Sequence, residues 1–138
     1  ASYGNPQRNV TGFDLRRLQM LLAVLERRAG FQLGTQDVFI NVVSGLKIAE
    51  PAADLGVAIA IISSLKNRVV DAGALIIGEV GLGGEVRNVG QIRRRVEEAK
   101  KLGFNRIILP HGEHKGLADL GLTIVPVRSL SAAVDEIF

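Results

Sequence analysis

Leu15, Leu18, Leu21, Leu22 and Leu25 recur at helical spacing, with Arg16, Arg17, Glu26 and Arg27 on the other positions and Gly30 as a stop. Thr11, with Asp14 three residues on, reads as a variant capping box that opens this helix. Residues 37–48 alternate as a strand, Val38, Ile40 and Val42 against Phe39, Asn41 and Val43, with Ser44-Gly45 marking a bend or bulge. Residues 52–65 are apolar almost all round, which predicts a helix buried on every side, closed by Lys66, Asn67 and Arg68. A buried strand at 74–80 leads through Gly81-Leu82-Gly83-Gly84 into a second extended run at 85–89, the pattern of a hairpin. Residues 91–102 form a basic amphipathic helix with Ile92, Val96 and Ala99 inward and Gly103 at its end. Short strands at 106–110 and 122–127 and a helix at 129–138 capped by Ser129 complete the chain. Strand and helix alternate late and a hairpin sits in the middle, so the fold class is α+β with α/β character and a mixed sheet.

At 138 residues, 47% of them hydrophobic, the chain fits one domain with a real core. Residues 1–9 are polar and read as a connector from something longer, leaving 10–138 as the domain. No cysteine is present, which excludes disulfide scaffolds, thiolate zinc sites and cysteine nucleophiles. No apolar run approaches the ~18 residues of a membrane span, so the expectation is a soluble, cytoplasmic protein with no membrane partner. The net charge of +3 is unevenly spread. Between residues 87 and 106 stand Arg87, Arg93, Arg94, Arg95, Lys100, Lys101 and Arg106 against only Glu97 and Glu98. Such a patch is the footprint of a polyanion partner, or else a solvated helix face laced with Arg–Glu pairs.

Catalytic chemistry is sparse. There is no Gly-Lys dipeptide for a phosphate loop, and Val86 takes the third glycine position of a dinucleotide fingerprint, so Gly81 and Gly83 read as turn glycines. His111 and His114 flank Gly112-Glu113 on a Pro-Gly loop, a pair that lacks the third ligand and the helix a metal site wants. Ser44, Ser63 and Ser64 are the plausible internal candidates for a serine nucleophile; the latter two sit late in a helix, where hydroxyls bond back to the preceding turn. No cofactor or metal is expected in this chain.

Two stretches carry a resemblance. Gly78-Glu79-Val80-Gly81-Leu82-Gly83-Gly84-Glu85-Val86-Arg87-Asn88-Val89, continuing to Pro110, resembles the core of the Lon protease proteolytic domain, and residues 50–58 resemble its nucleophile turn. The chain is more closely similar to the C-terminal Lon-like domain of the RadA (Sms) family of bacterial DNA repair proteins. That similarity rests on Gly-Phe-Asp-Leu-Arg-Arg-Leu (12–18), Leu-Ala-Val-Leu-Glu (22–26), Phe-Ile-Asn-Val-Val-Ser-Gly-Leu-Lys (39–47), Ala-Asp-Leu-Gly-Val-Ala (53–58) and Gly-Glu-Val-Gly-Leu-Gly-Gly-Glu-Val-Arg (78–87). It implies the Lon proteolytic-domain fold (ribosomal protein S5 domain 2-like), a mixed sheet with packed helices. It also implies a parent in which a zinc finger and a RecA-like ATPase precede this domain, the whole acting as a ring-shaped, hexameric DNA motor in branch migration. ATP, magnesium and zinc would belong to those upstream parts.

Lon's serine nucleophile position falls on Asp54 and its lysine base position on Arg93. A carboxylate with a pKa near 4 is no activated alkoxide, and an arginine does not accept a proton, so the resemblance implies a pseudo-enzyme. The two, or a close neighbour pair, are expected to form an ion pair in the old active site, or Asp54 simply caps its helix. The basic residues 87–106 are then expected to contact DNA phosphates, without base reading and with a steep salt dependence. The alternatives are an oligomerisation scaffold without DNA contact and, more remotely, a divergent Ser/Lys peptidase.

Overall fold

A computed structural model describes residues 4–43, 48–112, 114 and 116–138. The chain runs β1 (Arg8–Thr11), α1 (Leu15–Ala29), β2 (Val38–Asn41), a 3-10 turn (Pro51–Ala53), α2 (Asp54–Lys66), β3 (Ala74–Ile76), β4 (Glu79–Val80), β5 (Val86–Arg87), α3 (Ile92–Lys101), β6 (Arg106–Pro110), a second 3-10 turn (Ala118–Leu120), β7 (Thr123–Val127) and α4 (Leu130–Ile137). Three small sheets result among the described residues: parallel β1–β2, parallel β3–β6–β7, and the antiparallel β4–β5 hairpin. The fold is therefore mixed α/β, with parallel and antiparallel pairing.

The central β6 is buried along Ile107, Ile108, Leu109 and Pro110, as a strand covered on both faces must be. Its side chains alternate between two cores. Ile107 and Leu109 pack with Ile92, Val96 and Ala99 of α3, while Ile108 joins the larger cluster of Leu18, Leu21 and Leu25 of α1, Leu55, Ile59 and Ile62 of α2, and Leu130 of α4. Each of these large side chains, fully withdrawn from water, contributes about 1.5–3 kcal/mol before entropy is charged against it.

Several boundaries differ from the sequence reading. Thr11 is part of β1, and its carbonyl accepts from Val42 N–H, so the cap of α1 falls to Asp14, whose carboxylate accepts from Arg16 N–H at 2.9 Å. Arg8 and Asn9, read as connector, are paired strand residues. Leu15, on the apolar face by spacing, is partly exposed at the first turn. The strand at 37–48 spans Val38–Asn41; Ser44 and Gly45, with the bend and nucleophile readings placed on them, lie outside the described residues. Residues 74–80 are two strands, because after Ile77 donates to Ile108 the chain turns at Gly78 to clip the 51–55 turn. The helix expected to be buried on every side has an open face: Ala60 and Leu65 are exposed and Val57 is half-buried. Asn67, Gly103 and Ser129 end or begin their helices as read, with Ser129 Oγ accepting from Ala132 N–H at 3.0 Å.

Gly30 and Gly84 adopt nearly the same left-handed φ, +76° and +80°. A Cβ at Gly30 meets open space, whereas one at Gly84 lies 2.8 Å from Arg28 Cβ, where the hairpin seats on α1. Gly30→Ala should therefore cost only the backbone strain, about 1–2 kcal/mol, and Gly84→Ala clearly more. Urea unfolding of the two variants checks the order, and equal losses would contradict it.

Candidate functional site

Leu55 N–H donates to Gly78 O at 3.0 Å and Gly78 N–H to Ala52 O at 2.9 Å, which fastens the turn before α2 to the start of the hairpin. That clip brings Asp54, with no solvent exposure, to Val80 N–H, which donates to its Oδ2 at 3.1 Å. From the first turn of α1 the Arg17 guanidinium closes on the same carboxylate: Nη2 donates to Oδ2 at 2.5 Å and Nε to Oδ1. Glu79 Oε1 stands 3.8 Å from Arg17 Nη2. The hydrogen bond to Asp54, above all, holds the Arg17 pKa above its already high ordinary value. This fork-to-fork arrangement is the strongest form of side-chain ion pair.

The expected Asp54–Arg93 pair is thus corrected. Asp54 is paired with Arg17, and Arg93, at the start of α3 on the other core, pairs through Nε with Glu97 Oε1 at 2.9 Å and lays its guanidinium against Gly116. Nor does Asp54 cap α2, whose N-cap is Ala53. Arg17 was missed because it reads as one more polar-face residue. The signal was its place: two arginines in the first turns of a helix oppose the helix dipole and call for an acid nearby.

The seven basic residues are on the surface but not bare. Arg87 donates to Glu85 at 3.1 and 3.2 Å, Lys101 lies 3.6 Å from Glu98, and Arg106 lies 3.8 Å from Glu136. Arg95 donates to Gly90 O at 2.8 Å and pairs with Glu50. Arg94 meets the neutral Gln91 side chain at 3.5 Å, and Lys100 is exposed. Among the described residues, seven cations therefore face five carboxylates, three of them (Glu50, Glu85, Glu136) brought in from outside segment 87–106. Counting charge along the sequence overstated the patch. These pairs are exposed and individually weak, so a phosphate can compete for their arginines. Arg93 and Lys100 share one stripe of α3, seven residues apart, and Arg94 and Lys101 the next.

The histidines serve their loop. His111 Nε2 accepts from Arg128 Nη2 at 3.1 Å, and His114 Nε2–H donates to Pro110 O at 2.6 Å. No group of three potential metal ligands occurs among the described residues. Ser63 donates forward to Arg68 O, a helix-end bond, where a bond to the preceding turn was expected.

The Glu50 carboxyl is held below its ordinary value of 4.5, first by the Arg95 hydrogen bond. A depressed carboxylate contributes stability in full above its unfolded pKa and loses it as pH falls through the folded one. Glu50→Gln should be less stable than the parent at pH 7, by at most about 1 kcal/mol for so exposed a pair, and the gap should close as the pH falls below the ordinary carboxylate value of 4.5 and on through the depressed one. Melting curves across that range check it; a constant gap would contradict it.

Comparison with known proteins adds to this picture. The family described as Subunit ChlI of Mg-chelatase matches residues 4–113. Proteins named DNA repair protein RadA match most of the chain: 45% identity over 133 residues in Synechocystis sp., covering 96% of this chain and 26% of the relative. The figures are 51% over 115 residues in Chlamydia pneumoniae (83% and 25%) and 47% over 134 residues in Pseudomonas aeruginosa (97% and 30%). The chain thus spans between a quarter and 30% of the length of these relatives. By the match over residues 4–113, the chain belongs to the family described as Subunit ChlI of Mg-chelatase, and its RadA relatives share that stretch.

Proposed function

We propose that this chain is the non-catalytic, Lon-like part of a RadA-type DNA repair protein, holding copies in a ring, a hexamer by resemblance, and contacting DNA phosphates without reading sequence. The reading rests first on the 43–51% identity to DNA repair proteins RadA over most of the chain. The observation that carries its non-catalytic half is the state of Asp54. At the position of Lon's nucleophile stands a carboxylate out of contact with water, both oxygens taken by an arginine and one also by a backbone N–H. Such a group lacks the access to substrate that attack on a carbonyl requires. Arg93, at the base position, is engaged with Glu97 and as an arginine stays protonated. The chain contains neither a cysteine nor a Gly-Lys phosphate loop, so the thiolate zinc site and the ATP-binding loop that the resemblance implies for the parent would belong to its upstream parts.

The reading of DNA contact is supported by the exposed face of α3, where Lys100 and Lys101 are open to solvent with Arg87, Arg93 and Arg94, also exposed. The pairing of five of the seven cations with carboxylates favours the second reading, a scaffold without DNA contact. Salt titration separates the two. If both lysines meet phosphates, Lys100→Glu with Lys101→Glu should weaken duplex binding at least tenfold at low salt. It should also reduce the slope of log K against log salt by roughly 0.9 for each phosphate that is no longer neutralised. An unchanged affinity and slope would leave the scaffold reading in place.

A further inference from the structure

Pro110 at the end of β6 and Val127 at the end of β7 are paired, and His111 N–H donates to Val127 O at 2.9 Å, so the parallel register runs one residue beyond both strands. His111 and Arg128 are therefore neighbours in register and project to the same side of the sheet. It is the α3 side: Ile107 and Leu109 on β6 and Ile124 on β7 share their alternation and pack in the core beneath that helix. There Arg128 Nη2 donates to His111 Nε2 at 3.1 Å, and both residues are exposed.

A guanidinium carries five donors in a fork shaped for a carboxylate or a phosphate, and one imidazole nitrogen uses little of it. Among the described residues no carboxylate meets Arg128. That sets it apart from Arg87, Arg93, Arg95 and Arg106, each held by a glutamate. The contact also defines its partner, because an arginine only donates: His111 Nε2 presents a lone pair, as a neutral imidazole does. The other charged groups around the pair are engaged elsewhere. On the hairpin, whose Val86 N–H donates to Arg128 O at 2.9 Å, Arg87 is bonded to Glu85. On α3, Arg93 is bonded to Glu97 and rests on Gly116, and in the loop itself His114 donates to Pro110 O. Glu113 and Lys115 lie outside the described residues.

We infer that Arg128 and His111 form a phosphate seat at the ends of β6 and β7, a contact for the DNA backbone separate from the exposed lysines of α3. A phosphodiester oxygen replaces the imidazole as the acceptor for Arg128. His111 Nε2, freed of the guanidinium, takes one proton from solvent and donates it in a hydrogen bond to the same phosphate. This rests on the DNA-contact half of the function proposed above and adds to it a pair outside segment 87–106. A phosphate backbone fits better than an isolated carboxylate because the seat continues a line of cations. Arg93, whose guanidinium reaches Gly116 five residues beyond His111, begins the stripe that ends at Lys100, about 10 Å further along the helix axis. The linkage has a definite sign. In the free chain a proton on His111 would set two cations 3.1 Å apart; in the complex the same charge faces an anion. Binding therefore takes up a proton, and affinity rises as pH falls through the range in which imidazoles change charge.

Duplex affinity at low salt, followed from about pH 8 to about pH 5.5, reads the seat. The unaltered chain should bind about two- to fivefold more tightly at the acid end, the worth of one exposed ion pair. His111→Gln should flatten that rise while binding at the alkaline end stays as it was. Glu50 and Glu85, beside other cations, are held below 4.5 and do not titrate in this window. Arg128→Gln should weaken binding throughout and reduce the slope of log K against log salt by roughly 0.9. Both side chains are exposed, so the fold should be intact, and circular dichroism verifies it. Lys100→Glu with Lys101→Glu should keep the pH effect. An unchanged pH profile in His111→Gln, or an unchanged salt slope in Arg128→Gln, overturns the seat and leaves DNA contact through α3 standing. No duplex binding at any pH overturns both. Orthophosphate and polyglutamate, added as competitors, identify the occupant. Displacement by orthophosphate at the same phosphate concentration would mean a site for small phosphates, and displacement by polyglutamate an acidic protein surface; either overturns the assignment to DNA.

Discussion

The bidentate bond between Arg17 and Asp54 joins three parts of the chain that sequence keeps far apart: α1, the start of α2 and, through Val80 N–H, the first strand of the hairpin. An anion withdrawn from water costs several kcal/mol unless its oxygens are met, and here both are. The geometry therefore has to be kept. Moving α1, unfastening the 51–55 turn from Gly78 or sliding the hairpin would each strand a charge inside the core. The hairpin held in this way continues through Val89 into α3, so the same anchor decides where the basic helix lies on the far core.

Chemically, the anchor holds Asp54 as a buried carboxylate committed to Arg17 and Val80 N–H. A serine at this turn would need an adjacent base and access to substrate; the aspartate has an arginine and no access. The surface of the domain offers cations on and around α3, three of them tied to carboxylates from outside that segment, and apolar grooves beside α2 and α3. Those are materials for the assembly and contact role proposed above. The tied arginines are also held in defined directions, which lowers the entropy lost when a phosphate displaces the carboxylate.

Much of this was legible along the chain and some was not, for identifiable reasons. Helices α1 and α3 follow from periodicity because their apolar faces recur at 3.6 residues, and the β4–β5 hairpin from its glycines. The cap of α1 was misplaced because Thr11 had a stronger claim on it from the β1–β2 ladder, a tertiary demand that local pattern does not reveal. The apolar run 74–77 followed at once by Val80 reads as one strand along the sequence, while the break at Gly78 is set by a clip to residues more than twenty positions away. The functional positions suffered most. The partner of Asp54 lies 37 residues upstream and the partner of Arg95 lies 45 upstream, separations at which sequence spacing carries no information. Charge counted by segment likewise missed Glu50, Glu85 and Glu136, which the fold delivers to the patch.

The account turns on Asp54 being a buried anchor committed to Arg17, and a double-mutant cycle in urea unfolding tests that most directly. Arg17→Met leaves the carboxylate inside without its counter-charge and should cost about 3–5 kcal/mol. Adding Asp54→Asn, which removes the charge but keeps an oxygen for Val80 N–H, should return more than half of that loss. A cost below about 1 kcal/mol for Arg17→Met, or losses that simply add in the double variant, would mean that the carboxylate is neither locked nor committed to the fold, and the account would fail at its centre.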